Sequence, residues 1–266
     1  MTKQKFYIFC LFFLFMLFKY SYSYEKLTAF QWELGEELIY QVKWAFIKLG
    51  ELKLQVIQED TMHSRPVYHC RIKIDSNPGL FIINLHDVYE SYIDAEDYYS
   101  HLFRSYEKKA DHILFTQFEY DPEIKSVKIH MEKQWGDRTE VILDSMISVS
   151  TKIQDSLSLL YFARAMAKSE MQAELAVLIY TKFEWTQIHI SGQQEMVEWN
   201  NKNISTYPLQ GQLKFVGLAG VKEDYSGWFS ADSQSVPLKA SMKAFIGSVR
   251  IELIDWRNWN PKKEIF

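Results

Sequence analysis

The sequence has little glycine, little proline and almost no cysteine. Its 266 residues include 10 glycines, 6 prolines and 2 cysteines. This scarcity of glycine and proline excludes collagen-like and low-complexity chains. Aromatic residues make up 16% of the chain and apolar residues 47%, which excludes an intrinsically disordered chain, because such chains are poor in large apolar residues. The length is sufficient for one large domain or two small ones with a substantial core.

Recognisable catalytic and phosphate-binding motifs are missing as well. The sequence has no G-x-G-x-x-G, phosphate-loop, H-E-x-x-H, G-x-S-x-G or C-x-x-C pattern. Its seven histidines are scattered, and no pair has the spacing of two metal ligands on one helix. Residues 94–97, Asp-Ala-Glu-Asp, lack the glycine turn of a calcium loop and are interpreted as a solvated loop. We therefore predict no catalytic residues, no metal site and no cofactor.

The small number of cysteines limits the disulfides and reactive thiols that the chain can have. Cys10 lies in an N-terminal apolar run, so Cys70 is the one cysteine in the rest of the chain and cannot form an intrachain disulfide. Cys70 lies on the apolar side of an alternating segment, which favours a buried, inert thiol over a nucleophile.

The chain has 30 basic and 34 acidic residues and no Lys/Arg cluster. This balance argues against a nucleic-acid partner and against tight adhesion to anionic membranes.

The N-terminus has the three parts of a secretory signal peptide. Lys3 and Lys5 precede an apolar run over residues 6–18, and Ser21 and Ser23 follow as the small residues of a cleavage site. The run is shorter than the roughly 20 residues that span a bilayer. We predict a signal peptide over residues 1–23 and an exported domain over residues 24–266 without a transmembrane segment. The alternative is that the segment is retained as an N-terminal anchor.

Alternation of apolar and polar residues dominates the remaining sequence and predicts β-strands. Residues 37–46 carry apolar side chains at every second position, and residues 52–56 alternate again after a short connection that contains Gly50. This pattern is typical of a β-hairpin. Further strands are predicted over residues 67–75, 86–94, 102–108, 113–120, 127–133, 139–143, 174–183, 185–190, 195–199, 211–217, 227–230, 238–245 and 249–254.

One segment breaks the alternation. Residues 156–168 contain good helix formers with apolar residues at helical spacing, and Asp155 or Ser156 can cap the N-terminus of this helix. The chain shows neither a flexible linker nor a repeat of fixed period. Because strands lie on both sides of one helix, the sequence predicts a mainly β fold. We expect a single large curled antiparallel sheet, an open half-barrel, with one principal helix packed on it or plugging it.

Aromatic residues are the main candidates for a binding surface. All eight tryptophans follow the predicted signal peptide. Aromatic residues on alternating strand faces belong most often to a core, but in a curled sheet they also line cavities for apolar or glycan ligands. The candidate ligand-binding residues are Tyr40, Trp44, Phe46, Trp185, Trp228 and Phe229.

Five segments together resemble the bacterial domain-of-unknown-function family 3108. The first has the form G-E-x-L-x-Y-x-V-x-W-x-F-I-x-x-G, and together they extend over most of the chain between Trp32 and Trp256. The segments are residues 35–51, 155–164, 207–208 with 214–217, 227–232 with 236–238, and 246–253.

The resemblance implies an exported, mostly antiparallel β protein of the periplasm or outer envelope of a bacterium. Its open curved sheet would be similar to that of lipoprotein carriers and other periplasmic lipid-binding half-barrels. The resemblance brings no catalytic residues. Residues 169–174 depart from the family pattern, in which a short Gly-containing turn follows the helix, and this leaves a longer helix open.

Three functions are compatible with these observations. The first, which the sequence favours, is a non-enzymatic envelope protein that binds or shuttles an apolar ligand, a lipid or a lipoprotein acyl chain, in the groove of the curled sheet. The second is a structural or adaptor module that binds another envelope protein through a sheet edge or an aromatic tip. The third is a glycan-processing hydrolase whose carboxylates and histidines assemble only in the fold.

Overall fold

The computed structural model of the protein describes residues 30–80, 84–179, 181–216, 222–244 and 247–261. Residues 31–266 form one compact unit. The predicted signal peptide lies outside the described residues. Within the described ranges, no helix is long and apolar enough to cross a membrane.

The described chain consists of antiparallel strands and one α-helix, which confirms the mainly β prediction. The helix is α1 (Ser156–Met166). The strands are β1 (Glu37–Trp44), β2 (Ile47–Met62), β3 (Arg65–Ser76), β4 (His86–Asp94), β5 (Ser100–Lys108), β6 (Ile113–Asp121), β7 (Ser126–Trp135), β8 (Arg138–Ser148), β9 (Glu170–Ile179), β10 (Lys182–Ser191), β11 (Glu195–Trp199), β12 (Lys202–Val216), β13 (Lys222–Ser230), β14 (Pro237–Lys243) and β15 (Ser248–Arg257).

All strands belong to one sheet that is not closed. Its order is β8-β7-β6-β5-β4-β3-β2-β1-β15-β14-β13-β12-β10-β9, and β11 pairs with β12 beside this path. The first and last strands of the unit therefore meet in the middle of the sheet, where β1 pairs with β15. Strands β8 and β9 are the two edges, and no ladder joins them within the described residues.

Several predicted strand boundaries differ from the structure, and two of them have identifiable reasons. The sequence predicts one strand over residues 174–183, whereas β9 ends at Ile179 and β10 begins at Lys182. The continuous apolar run here hides the turn, because alternation gives no boundary inside it. The second error concerns β12. The sequence predicts that this strand begins at residue 211, whereas it begins at Lys202. Pro208 lies between the segment paired with β11 and the segment paired with β10, a position where strand pairing tolerates proline.

The helix begins where the sequence predicts and ends slightly earlier. Asp155 is the N-cap, and its carboxylate accepts hydrogen bonds from the backbone N–H groups of Leu157 and Ser158, both at 2.7 Å. The Ser158 side chain in turn accepts from the Asp155 N–H, which completes a capping box. After Met166 the chain turns, and β9 begins at Glu170. A longer helix is therefore wrong.

Candidate functional site

The two ends of the sheet meet in one buried apolar cluster. Side chains of β5, β6 and β7, such as Phe103, Phe118 and Ile129, lie in the same cluster as Ala176 and Leu178 of β9. Because these strands are far apart in the strand order, the sheet curls so that its two edge regions face each other. Partly buried apolar side chains surround this cluster, and we call them the seam: Tyr89, Leu114, Leu143, Ile147, Val149 and Phe183.

The segment that leads into the helix covers part of one edge at the seam. The Gln154 N–H donates to the Ala176 carbonyl at 2.9 Å, and the Leu178 N–H donates to the Gln154 carbonyl at 2.8 Å. Gln154 also donates from its side-chain amide to the Tyr98 carbonyl at 3.0 Å. These bonds satisfy polar backbone groups of β9 beside the cluster. The seam itself consists of aliphatic and aromatic side chains, a composition that is typical of contacts with apolar ligands.

A buried ion pair holds the helix. Arg164 in α1 donates from both terminal nitrogens to the two carboxylate oxygens of Glu36, each at 2.6 Å, and from Nε to the Gln234 carbonyl at 2.9 Å. Both charged side chains are almost completely buried. Burial lowers the pKa of Arg164, but the neighbouring Glu36 carboxylate outweighs this and raises the pKa above its ordinary value. The pair joins the helix to the residue before β1 and to the β13–β14 connection.

Aromatic contacts surround the same helix. The Tyr161 hydroxyl donates to the Gln55 carbonyl of β2 at 3.3 Å. The Trp32 ring packs edge-on against Tyr161, with the centroids 5.0 Å apart. Cys70 on β3 is completely buried, and burial raises the pKa of its thiol. The thiol is therefore in the protonated form at neutral pH, as expected of an inert cysteine.

The fold also assembles an acid–base cluster that the sequence analysis missed. Asp94 ends β4 and is fully buried. It forms a bidentate ion pair with Arg65, and its Oδ2 lies 2.9 Å from Nε2 of the buried His101. The Asp94 carboxylate also accepts from the backbone N–H groups of Glu96 and Asp97. The interpretation of residue 94 as part of a solvated loop is therefore wrong.

This cluster reaches the surface through a second histidine. Nδ1 of His101 lies 3.3 Å from Nδ1 of His63, an exposed residue in the β2–β3 turn. The line from Asp94 through His101 to His63 has the geometry to move a proton. Within the described chain no hydroxyl or thiol bonds to either histidine, and no group of three or more His, Cys, Asp or Glu side chains is placed to hold a metal.

Two open clefts flank a group of three tryptophans, Trp199, Trp256 and Trp259, whose ring centroids lie 5.1 to 6.2 Å apart. One cleft of about 420 Å³ lies beside Trp259, and another of about 460 Å³ lies beside Trp199 and Trp256. Their other lining residues are mostly amides and charged side chains, for example Glu33, Asn258 and Lys239. Such a lining suits polar ligands rather than an acyl chain.

The structure does not gather the six predicted binding residues into one pocket. Tyr40 and Phe229 are buried, and the Tyr40 hydroxyl donates to the Pro237 carbonyl at 2.9 Å. Trp228 is half-buried, and its indole N–H donates to Glu195. Trp185 is 43% exposed and lies opposite Ala176 of the seam cluster in the β9–β10 register. The remaining two lie at or beside the β1–β2 turn, where both are exposed: Trp44 and Phe46.

Trp185 is therefore the predicted residue that lies beside the seam. Directly opposed residues of an antiparallel pair present their side chains on the same face. The six seam residues were not predicted as ligand contacts, because partly buried aliphatic side chains are indistinguishable in sequence from core residues.

Comparisons with known proteins agree with this architecture. The sequence profile of the family described as "Protein of unknown function (DUF3108)" matches residues 39–254. No curated protein matches the chain. Among solved structures, the chain is similar to a beta-barrel-like protein of domain of unknown function DUF1849 from Brucella abortus. That similarity has 10% sequence identity over 86% of this chain and 100% of the other, with a TM-score of 0.56. At this identity it shows the fold alone.

A putative exported protein with a YmcC-like fold from Bacteroides fragilis matches at 8% identity. The match covers 86% of this chain and 98% of the other, with a TM-score of 0.39.

Proposed function

The chain belongs to the DUF3108 family of proteins of unknown function, and on this premise we propose that it is an exported, non-enzymatic envelope protein that holds a lipid or lipoprotein acyl chain in the seam. The observation that carries the proposal is the apolar seam where the two edge regions of a curled sheet face each other. Six partly buried apolar side chains surround the cluster there. An acyl chain that covered them would remove apolar surface from water, at about 25 cal/mol per Å².

In the proposal the helix is a fixed element of the interior that an acyl chain would approach. Its N-cap Asp155 accepts a hydrogen bond from Ser91 of β4 at 2.6 Å, and Tyr161 binds the β2 backbone. With the Glu36–Arg164 pair, these bonds fix the helix against β2 and β4. A ligand then reaches the interior between β8 and β9, where no ladder closes the described sheet.

A second candidate function is supported by the outer side of β8. This edge strand carries exposed apolar residues at Val141, Ile142 and Met146. An exposed apolar edge strand is a template for strand addition by another chain. Under this alternative the protein is an adaptor that binds an envelope protein through β8, and substitutions on the outer face of β8 would abolish its binding activity.

Paired substitutions on β8 separate the two functions. Leu143 belongs to the seam, whereas Met146 is 62% exposed on the opposite face of the same strand. We expect Leu143→Gln to weaken binding of a fluorescent fatty acid about ten-fold, because a polar group then replaces an apolar one in the seam. Met146→Gln should leave the affinity unchanged. The measurement is a fluorescence titration of protein isolated from exporting cells, with circular dichroism to confirm that both variants are folded.

Three outcomes would overturn the acyl-binding proposal. They are saturable binding that neither variant changes, equal losses in both variants, and no saturable binding by the unsubstituted protein. Loss in Met146→Gln alone, with capture of an envelope protein by the unsubstituted chain, would instead favour the adaptor.

A further inference from the structure

Two histidines that are 38 positions apart in the sequence lie together at the β2–β3 turn. Nδ1 of His63 lies 3.3 Å from Nδ1 of His101. In a tetrahedral zinc site with Zn–N bonds of about 2.05 Å, two ligating nitrogens are likewise about 3.3 Å apart. Both histidines belong to ranges that the structure describes. The pair therefore already has the separation that two ligands of one metal ion need.

The buried carboxylate behind His101 leaves the correct nitrogen free. Asp94 is ionised in its pair with Arg65 and carries no proton, so its Oδ2 accepts from Nε2 of His101 at 2.9 Å. In the neutral imidazole, Nε2 then holds the proton and Nδ1 keeps its lone pair. A carboxylate on the far nitrogen of a ligating histidine fixes the ring and makes it a better ligand. Asp94 and His101 have this arrangement.

His101 occupies an irregular position in the sheet. In the β4–β5 register, Tyr92 pairs with Leu102 and Ile93 pairs with Ser100, which makes His101 the extra residue of a β-bulge. Bulges re-aim a side chain and are frequent next to functional sites. The fold thus keeps a bulge at the residue whose Nδ1 is free.

His63 occupies a turn position that favours other residue types. β2 ends at Met62 and β3 begins at Arg65, so His63 and Ser64 form a two-residue turn. Their φ angles are 49° and 60°, a conformation for which asparagine and glycine are preferred. A histidine in such a position is a candidate for a functional role. His63 is also exposed, so that small ions in solution reach this side of the pair.

The charged side chains around the pair favour a cation. Among the described residues, the ion pairs of this cluster join three acidic to two basic groups, so that their charges add to −1: Asp94, Glu96, Asp97, Arg65 and Lys152. The Arg65 guanidinium is bonded to the carboxylates of Asp94 and Asp97, which offset its repulsion of a metal ion.

We propose that His63 and His101 bind a divalent transition-metal ion such as Zn²⁺ through their Nδ1 atoms. The ion takes the place of the proton between the two nitrogens, and His63 then carries its proton on Nε2, so that both ligands are neutral imidazoles. Imidazole is a preferred ligand of Zn²⁺ and Cu²⁺. Since no third His, Cys, Asp or Glu of the described residues completes the site, the remaining positions stay open to water or to a donor group of another molecule. The proposal does not depend on acyl binding in the seam.

A histidine substitution in the turn tests the site. The measurement is a competition titration of Zn²⁺ between the untagged protein and a chromophoric chelator. We expect His63→Asn to weaken Zn²⁺ binding about ten-fold or more, because one of two protein ligands is lost while asparagine suits the turn. His86→Asn is the matched control, since Nδ1 of His86 lies 2.8 Å from the Asp75 carboxylate and its ring likewise has a carboxylate beside it. We expect it to change the affinity less than about two-fold.

Nuclear magnetic resonance of the unsubstituted protein gives a second readout that does not depend on how the variants fold. With ¹⁵N-labelled histidine, we expect Zn²⁺ to shift the Nδ1 resonances of His63 and His101 and to leave that of His86 in place. No saturable Zn²⁺ binding, equal losses in the two variants, or shifts confined to other histidines would overturn the proposal.

Discussion

Replacement of Arg164 by methionine is expected to lower the free energy of unfolding by about 3–5 kcal/mol, because it leaves the Glu36 carboxylate buried without its partner. The two side chains share two hydrogen bonds of 2.6 Å, and Arg164 also binds the Gln234 carbonyl. Methionine retains the length of the side chain, so the loss reports the charge and the hydrogen bonds rather than a large cavity. The measurement is guanidinium unfolding followed by tryptophan fluorescence.

Two further variants make this prediction specific. Glu36→Gln combined with Arg164→Met removes both charges, and we expect it to be more stable than Arg164→Met alone, since no unpaired charge stays buried. Arg104→Met is the matched control: Arg104 is half-exposed and donates to the Gln117 side chain at 2.9 Å. We expect it to cost about 1 kcal/mol or less. An Arg164→Met loss no larger than the Arg104→Met loss would contradict a structural role for the pair.

Replacement of Asp94 by asparagine is expected to cost about 3 kcal/mol at neutral pH. Asparagine is isosteric but loses the charge that Arg65 pairs with and one acceptor of the buried cluster. Asp121→Asn is the control, because the Asp121 carboxylate likewise accepts from two backbone N–H groups, those of Glu123 and Ile124. No arginine of the described residues pairs with Asp121, so we expect a cost below about 1 kcal/mol.

The Asp94 effect should depend on pH in a defined direction. Burial alone would raise the pKa of Asp94, but hydrogen bonds from Arg65, His101 and two backbone N–H groups outweigh it and hold the pKa well below its ordinary value. Because the folded pKa is lower than the unfolded one, the unfolded chain takes up the proton first as the pH falls. The stabilisation is complete above about pH 5 and declines below it.

The difference in unfolding free energy between the unsubstituted chain and Asp94→Asn should therefore shrink between pH 7 and pH 3. Glu90 also loses stabilisation in this range, since the neighbouring His69, 3.6 Å away, and the Arg71 guanidinium lower its pKa to about 2. This contribution is present in both proteins and cancels in the difference. A difference that stays constant or grows as the pH falls would contradict the assignment.

Most of the sheet was predictable because its strands are solvated on one face. The alternation in β1 and β6 follows from that burial, and the capping box at Asp155 is local in sequence. The boundary between β9 and β10 was not predictable by the same rule, since the run around Leu178 is apolar on both faces. Long-range pairing also brings Pro208 into a strand, where local propensity predicts a break.

The functional surfaces were harder to predict, because they depend on which strands become neighbours. Asp94 lies opposite Val67 in the β3–β4 register, and this pairing brings it to Arg65 and His101. Phe46 and Trp44 were identified from the sequence, but as part of a groove; the fold places them at the end of the sheet instead. The seam depends on the curl of the whole sheet, which no local pattern specifies.

The most direct test of acyl binding in the seam is the attachment site of a photoreactive fatty acid. After irradiation and proteolysis, peptide mass spectrometry identifies the labelled residues. Our account predicts saturable labelling of peptides that contain Leu143, Ile147 or Phe183, which an excess of unlabelled fatty acid prevents. Labelling confined to the β1–β2 turn around Phe46, or labelling that an excess of fatty acid does not reduce, would contradict it.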